Sequence, residues 1–250
     1  MEYGLGHLSI VPIRLSPDED AGMISQIIYG DHFKIKESRK TWSRIRITYD
    51  GCEGWVQNNQ ITRISETSFR KIEQQDPIYS TDFITHVCTG DNVFLPVLLG
   101  SRMDIAPILQ HTMEEAMPIA IKSSKNNLVT TALLYLNCPY LKGGKSPFGI
   151  DSSGFTQMVY KINGYRLLRT TEQQATQGEP LSFIEESEAG DMVFFDNSEG
   201  SIDHVGIILE NNYVIHCFGS VRIDRIDHTG IFDVRKRRYT HQLRVIKKVI

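Results

Sequence analysis

The chain has 250 residues, of which 40% are hydrophobic and 23% charged, and its formal net charge is −3. This length and apolar content suffice for more than one hydrophobic core. The charge is spread without the basic run that marks a nucleic-acid-binding protein. We therefore expect a globular protein of more than one domain, with no nucleic acid among its partners.

Signals for membrane insertion and secretion are absent from the sequence. No stretch approaches the roughly 18–20 apolar residues of a membrane-spanning helix, and the start of the chain lacks the basic and apolar segments of a secretion signal. We expect a cytoplasmic protein without a membrane span, or a periplasmic or extracellular one whose signal has been removed.

The first quarter of the chain carries short β-strand patterns at residues 9–13, 33–35, 42–47 and 54–56, broken by turn sequences at Tyr29-Gly30-Asp31 and Asp50-Gly51. These short strands predict a small antiparallel barrel over residues 1–64. The order of these turns and the final Gly54-Trp55-Val56 resemble the bacterial SH3-like module. Strand patterns at 83–87, 93–98 and 118–121 predict a second such barrel over residues 65–122. Either barrel could also be a passive binding or spacing unit.

Helical periodicity begins after residue 125. Asn126 or Asn127 can cap a helix whose apolar stripe is Leu128, Thr131, Ala132 and Tyr135. A second helix follows Asp151, a good N-cap residue, and its inward stripe consists of Phe155, Met158, Val159 and Ile162.

Ser152 and Ser153 lie in the first turn of that second helix. Unpaired backbone N–H groups and the positive end of the helix dipole at this position would favour a thiolate and a developing oxyanion. A cysteine nucleophile would suit the position. Asp-Ser-Ser is equally a common capping sequence of ordinary helices, so these residues alone leave both interpretations open.

Two histidines follow on predicted strands. Residues 190–195, 204–209 and 213–217 read as strands, and the last two form a hairpin. If Leu209 pairs with Tyr213, His216 lies opposite Gly206, two residues after His204. Because side chains alternate with period two, the imidazoles of His204 and His216 then project from the same face of the sheet. The apolar side chains then fill the opposite face. A base beside an orienting group is the arrangement that activates a nucleophile.

A zinc site built from His204, His216, Asp203 and Cys217 is a weaker interpretation. Neighbouring residues on a strand point to opposite faces, which leaves two histidines to converge. The four cysteines of the chain are widely scattered, without a C-x-x-C pair or a disulfide framework. We expect neither a metal nor another cofactor.

Residues 139–157 closely resemble the signature loop and helix of the NlpC/P60 cysteine peptidases, and residues 190–195, 203–207 and 214–216 match the later blocks of that family in order. The resemblance implies an α+β protein with a papain-like catalytic domain over residues 123–250, preceded by the two barrels. It makes position 152 the nucleophile, His204 the general base and His216 the residue that orients it. Tyr140 would help to bind the oxyanion.

The SH3-like modules narrow the resemblance to the γ-D-glutamyl-L-diamino-acid peptidases, also called dipeptidyl-peptidase VI. This subgroup implies as substrate the peptidoglycan stem peptide L-Ala-γ-D-Glu-diamino acid. In it, the acid before the nucleophile and the serine after it hold the free amine of the L-alanine. Asp151 and Ser153 occupy those two places.

Position 152 departs from the family, which carries cysteine there. A serine hydroxyl stays protonated where a thiol can ionise, so we expect this chain to be almost inert. Three interpretations are open: a cysteine-to-serine substitution introduced to trap substrate, a natural wall-binding homologue that binds stem peptides without cleaving them, and a working serine hydrolase. We favour the first because every other part of the signature is intact.

Overall fold

The computed structural model describes residues 2–113 and 124–250. The chain divides into two compact units, one of Met1–Ile121 with Lys142–Pro147 and one of Lys122–Leu141 with Phe148–Ile250. The three predicted domains, 1–64, 65–122 and 123–250, stay a prediction, and the boundary at 122/123 lies outside the described residues. In the described part of the chain we find no helix that is long and apolar enough to cross a membrane.

Seven strands of the first unit form one antiparallel sheet in the order β3-β2-β6-β5-β4-β1-β7. Their bounds are β1 Glu2–Leu5, β2 Ile10–Arg14, β3 Met23–Ile28, β4 His32–Ser38, β5 Trp42–Ile47, β6 Glu53–Gln57 and β7 Thr62–Ile64. The four strand patterns predicted here are confirmed. Alternating apolar residues of β2, β4 and β5 bury one face of the sheet as a core, including Val11, Ile13, Phe33, Ile35 and Ile45.

The two predicted turns of this sheet are also confirmed. Gly30 and Gly51 have φ values of +86° and +74°, in the left-handed region that favours glycine. The Asp31 side chain accepts a hydrogen bond from the Ile28 N–H (3.0 Å), which closes the first turn. The local sequence therefore specifies these turns.

Residues 65–113 contain the helix α1 Glu66–Gln74, the antiparallel hairpin β8 Ile84–Cys88 and β9 Phe94–Leu98, and a short 3-10 helix at Ala106–Leu109. The strands predicted at 83–87 and 93–98 are confirmed. The strand predicted at 118–121 lies outside the described residues, so the second barrel stays a prediction. The short strand β10 Lys145–Ser146 completes the first unit.

The second unit combines three helices with a β-sheet. Its elements are α2 Lys125–Leu134, β11 Gly149–Ile150, α3 Ser152–Ile162, α4 Thr171–Gln174, β12 Glu179–Leu181, a 3-10 helix Ile184–Glu186, β13 Met192–Asp196, β14 Ile202–Leu209, β15 Tyr213–Phe218, β16 Ser220–Ile226, β17 Gly230–Asp233 and β18 Arg238–Lys248. The sheet order is β12-β18-β13-β14-β15-β16-β17, and β17 also pairs with β18. Six strands therefore close into a ring.

Both helix predictions hold, with one correction at a cap. The predicted stripes of α2 and α3 are buried. The N-cap of α2 is Ser124, and neither Asn126 nor Asn127 caps it. These two asparagines lie inside the first turn, because α2 begins at Lys125.

The face of the sheet that carries the histidines is more apolar than expected. Ile208 and Val214 share that face with His204 and His216, and they pack into a core with Val193. Val205, Ile207 and Ile215 are buried on the opposite face, as predicted. The histidines therefore belong to a face that is otherwise packed with apolar side chains.

Candidate active site

Ser152 is the first residue of α3. Asp151 is the N-cap, as predicted, and its Oδ1 accepts a hydrogen bond from the Gly154 N–H (2.7 Å). Ser152 is 7% exposed. It therefore lies at the positive end of an eleven-residue helix, largely shielded from solvent.

The predicted histidine hairpin is present in the predicted register. Gly206 pairs with His216 and Leu209 with Tyr213. The turn consists of the three residues Glu210, Asn211 and Asn212. Asn211 and Asn212 have φ values of +60° and +61°, in the left-handed region that asparagine tolerates. His204 Nε2 lies 2.8 Å from His216 Nδ1, so the two imidazoles form a hydrogen-bonded pair.

Burial keeps both imidazoles of this pair uncharged near neutral pH. It lowers the pKa of His204 well below its usual value, and His216 and His241 lower it further. Burial also lowers the pKa of His216, although a hydrogen bond with Asp224 opposes the shift. A neutral imidazole can accept a proton, which is what a general base requires.

Asp224 lies behind His216. Its Oδ2 is 3.0 Å from His216 Nε2 and 2.7 Å from Arg222 Nε, and its Oδ1 accepts a hydrogen bond from Arg222 Nη2 (2.8 Å). Burial alone would raise the pKa of Asp224, but the hydrogen bonds from His216 and Arg222 lower it. The buried chain of contacts thus runs from His204 through His216 to a carboxylate.

A third histidine, His241 of β18, also joins the pair. Its ring stacks on His204 with centroids 4.1 Å apart, and one nitrogen from each of the three rings lies within 4.8 Å of the others. The two predicted histidines do converge, and His241, which was not predicted, joins them because closure of the sheet brings β18 alongside. Three such nitrogens could hold a metal ion. The 2.8 Å between His204 and His216 is shorter than the about 3.3 Å between two nitrogens on tetrahedral zinc. This spacing suits proton transfer better than metal binding.

Asp151 is held by an arginine that sequence analysis missed. Arg169 Nη1 and Nη2 lie 3.0 Å and 2.8 Å from the two carboxylate oxygens, and Nη1 also donates to Ser153 Oγ (2.9 Å). The two charged side chains are 4% and 15% exposed. The predicted pair Asp151 and Ser153 is therefore brought together, and a buried guanidinium fixes both.

The segment that carries Arg169 is fastened to α3 by a buried glutamine. Gln174 Nε2 donates to the carbonyl oxygens of Ser153 (2.8 Å) and Leu168 (2.9 Å), and Gln174 Oε1 accepts from Thr156 Oγ1 (2.7 Å). These bonds set the distance between Arg169 and the start of the helix.

Tyr140 is about half exposed, and its backbone pairs with Ile150. Burial raises the pKa of its hydroxyl, and the negative charge of Asp151 adds to the increase. The side chain therefore stays a hydrogen-bond donor across the neutral pH range.

None of the four cysteines, all of which lie in the described ranges, forms a disulfide. In the second unit, burial raises the pKa of Cys138 to about 11 and that of Cys217 to about 12. The Cys217 thiol donates to the Ile150 carbonyl oxygen (3.1 Å). Thiols that stay protonated at neutral pH are poor nucleophiles, so neither of these two cysteines is a candidate nucleophile.

Comparison with known proteins identifies the class. Residues 137–242 match the NlpC/P60 family, and residues 13–61 match the bacterial dipeptidyl-peptidase SH3 domain. The γ-D-glutamyl-L-lysine dipeptidyl-peptidase of Bacillus subtilis is 34% identical over 238 residues, which cover 81% of this chain and 77% of that protein. The chain belongs to the NlpC/P60 family.

Two further comparisons agree. Dipeptidyl-peptidase 6 of Lysinibacillus sphaericus is 29% identical over 236 residues, covering 80% of this chain and 82% of that protein. The crystal structure of an NlpC/P60 family protein from Bacillus cereus superposes with a TM-score of 0.82 at 18% identity and covers 99% of both chains. At this identity, the superposition confirms the α+β fold.

Three residues of the site escaped the sequence analysis: Arg169, Asp224 and His241. Asp224 could have been found by extending the alternation of β15 into β16, where Arg222 and Asp224 share a strand face. Arg169 lies in an irregular segment and His241 on a distant strand. No local pattern marks either of them.

Proposed function

We propose that this chain carries the site of a cysteine-type peptidoglycan hydrolase, held inactive by serine at the nucleophile position. The reaction of the cysteine form is cleavage of the γ-D-Glu–L-diamino acid bond in stem peptides with a free N-terminal L-Ala. The observation that carries the proposal is the buried, hydrogen-bonded pair His204–His216 in the same unit as Ser152 at the start of α3. The relative in Bacillus subtilis named for a γ-D-glutamyl-L-lysine substrate supports it.

The chemistry follows from the roles of these residues. With cysteine at position 152, the thiol gives its proton to His204 and its sulfur attacks the carbonyl carbon. His216 keeps the His204 ring oriented. The start of α3 and the Tyr140 hydroxyl stabilise the negative charge on the carbonyl oxygen. His204 then returns the proton to the amine as the C–N bond breaks. Water, giving a proton to His204, cleaves the resulting thioester, which releases L-Ala-γ-D-Glu and restores the thiol.

The free amine of the substrate is the feature that Asp151 and Ser153 recognise. An ammonium group would form a charge-assisted hydrogen bond with the carboxylate, which Arg169 holds in one orientation. A peptide blocked at its amino end could not form this bond. Binding of the amine would therefore place the bond after the second residue of the peptide at position 152.

Serine at position 152 supports an inactive site, and an inactive site allows a second candidate function, the binding of stem peptides without cleavage. A hydroxyl does not ionise beside an imidazole as a thiol does, so bound peptide would stay intact. A natural homologue with this residue would be a stem-peptide-binding protein of the cell wall. In either case, residues 1–64 and 65–122 would be SH3-like modules that precede the peptidase-like domain.

Binding by the serine chain tests the proposed site directly. We expect calorimetry to detect binding of L-Ala-γ-D-Glu-L-Lys, and at least tenfold weaker binding of the same peptide with an acetylated amine. Asp151→Asn should remove the difference between the two peptides. Equal binding of both peptides to the unmodified chain, or binding of neither, would contradict the proposed recognition.

A further inference from the structure

Asp224 is the candidate for a further role, because it touches no position assigned to substrate. It lies on β16 opposite Val214, so its side chain projects from the sheet face that carries His216. It is 9% exposed, and its Oδ2 contacts His216 Nε2 at 3.0 Å.

The hydrogen-bonding capacity of each group dictates where the protons lie. A carboxylate can only accept, so the proton of neutral His216 is on Nε2 and its Nδ1 carries a lone pair. His204 Nε2, 2.8 Å from that lone pair, must then be the donor. The proton of neutral His204 is therefore on Nε2, which leaves its Nδ1 as the basic nitrogen.

Arg222 holds the carboxylate in the orientation that this arrangement needs. Its Nε and Nη2 contact Oδ2 and Oδ1 of Asp224 at 2.7 Å and 2.8 Å. A bidentate guanidinium fixes the plane of a carboxylate. Oδ2, shared by Arg222 and His216, therefore cannot turn away from the imidazole.

We propose that Asp224 is a positioning residue that sets the tautomer of His216 and, through it, keeps Nδ1 of His204 free of a proton. Its role in turnover rests on the proposed function, whereas its effect on the tautomers does not. In the cysteine form, the thiol proton passes to His204 Nδ1 as the carbon–sulfur bond forms. The Nε2 proton stays on His204, donated to His216, and no proton reaches Asp224.

Nitrogen-15 NMR of the imidazoles tests the proposal in the serine chain, without any turnover. At pH 7 we expect both His216 and His204 to be protonated at Nε2 and bare at Nδ1. Asp224→Leu, checked for folding by circular dichroism, should produce a mixture of tautomers at His216. Protonation of His216 at Nδ1 in the unmodified chain would overturn the proposal, as would unchanged tautomers in the folded leucine variant.

Two matched variants separate positioning from general damage. Asp224→Asn should largely retain the tautomers, because Arg222 Nε and His216 Nε2 both select the amide oxygen at the Oδ2 position. Asp233→Asn alters an acid that contacts Arg222 at 3.4 Å and makes no hydrogen bond to a histidine. It should leave the tautomers unchanged. A shift as large as that of Asp224→Leu in this control would overturn the assignment.

Kinetics in the Ser152→Cys background give a second measurement. Asp224→Leu should lower kcat by about 100-fold with KM nearly unchanged, because the base, not substrate binding, is impaired. Asp224→Asn should restore much of kcat. If Asp224→Leu instead lowered kcat/KM by raising KM, with kcat nearly unchanged, the result would contradict a positioning role. Absence of activity in Ser152→Cys itself would count against the proposed function, while the NMR result would still decide the tautomers.

Discussion

Gly206 lies directly opposite His216 in the β14–β15 hairpin, where the close approach of the strands leaves no room for a side chain. A Cβ atom at Gly206 would lie 3.0 Å from the His216 Cβ and 2.7 Å from the Val214 Cγ2. The glycine two residues after His204 therefore allows the two histidines to share one face at hydrogen-bonding distance.

Gly206→Ala should destabilise the protein by about 1–3 kcal/mol, because Val214 and His216 must move away to make room for the added methyl group. Denaturant unfolding measures the loss. Gly22→Ala is the matched control, since a Cβ there meets nothing within 4 Å. An equal effect of the two substitutions would contradict the packing argument.

The ion pair between Arg169 and Asp151 should stabilise the fold as well as the site. Because both side chains are largely buried, a double-mutant cycle of Arg169→Ala and Asp151→Ala should give a coupling energy of about 2–3 kcal/mol. Arg166→Ala, at an exposed neighbouring position, should change the free energy of unfolding little. A coupling energy near zero would mean that the pair contributes no specific stability.

Stability should fall as the pH drops from about 6.5 towards 4. Burial lowers the pKa of His241 to about 4, and those of His204 and His216 are lowered too. In this window the unfolded chain binds protons that the folded chain excludes, so acid favours unfolding. Tm measured against pH should show the decline.

His241→Asn should make that decline in Tm shallower. The variant lacks one group that takes up a proton only on unfolding, while its carboxylates are those of the unmodified chain. An unaltered slope in His241→Asn would show that its pKa is not lowered by folding.

Local patterns predicted the parts of the site that neighbouring residues define. The register of His204 and His216 followed from strand alternation and the three-residue turn Glu210-Asn211-Asn212, and Asp151 was a recognisable cap. Asp224 lies on the strand after β15, where continued alternation would have found it, whereas the other two missed residues owe their positions to tertiary structure. His241 reaches the pair because β18 closes the sheet, and Arg169 reaches Asp151 because Gln174 ties its segment to α3. The second barrel and the domain boundaries at 64/65 and 122/123 stay predictions.

The most direct measurement of the central claim is hydrolysis of L-Ala-γ-D-Glu-L-Lys, followed by mass spectrometry of the released dipeptide. Ser152→Cys should release L-Ala-γ-D-Glu at a rate exceeding that of the serine chain by on the order of 10³-fold or more. Ser152→Ala, and Ser152→Cys combined with His204→Ala, should both be inactive. If the folded cysteine variant binds the tripeptide and leaves it intact, the site is not that of a silenced hydrolase, and the stem-peptide-binding function takes its place.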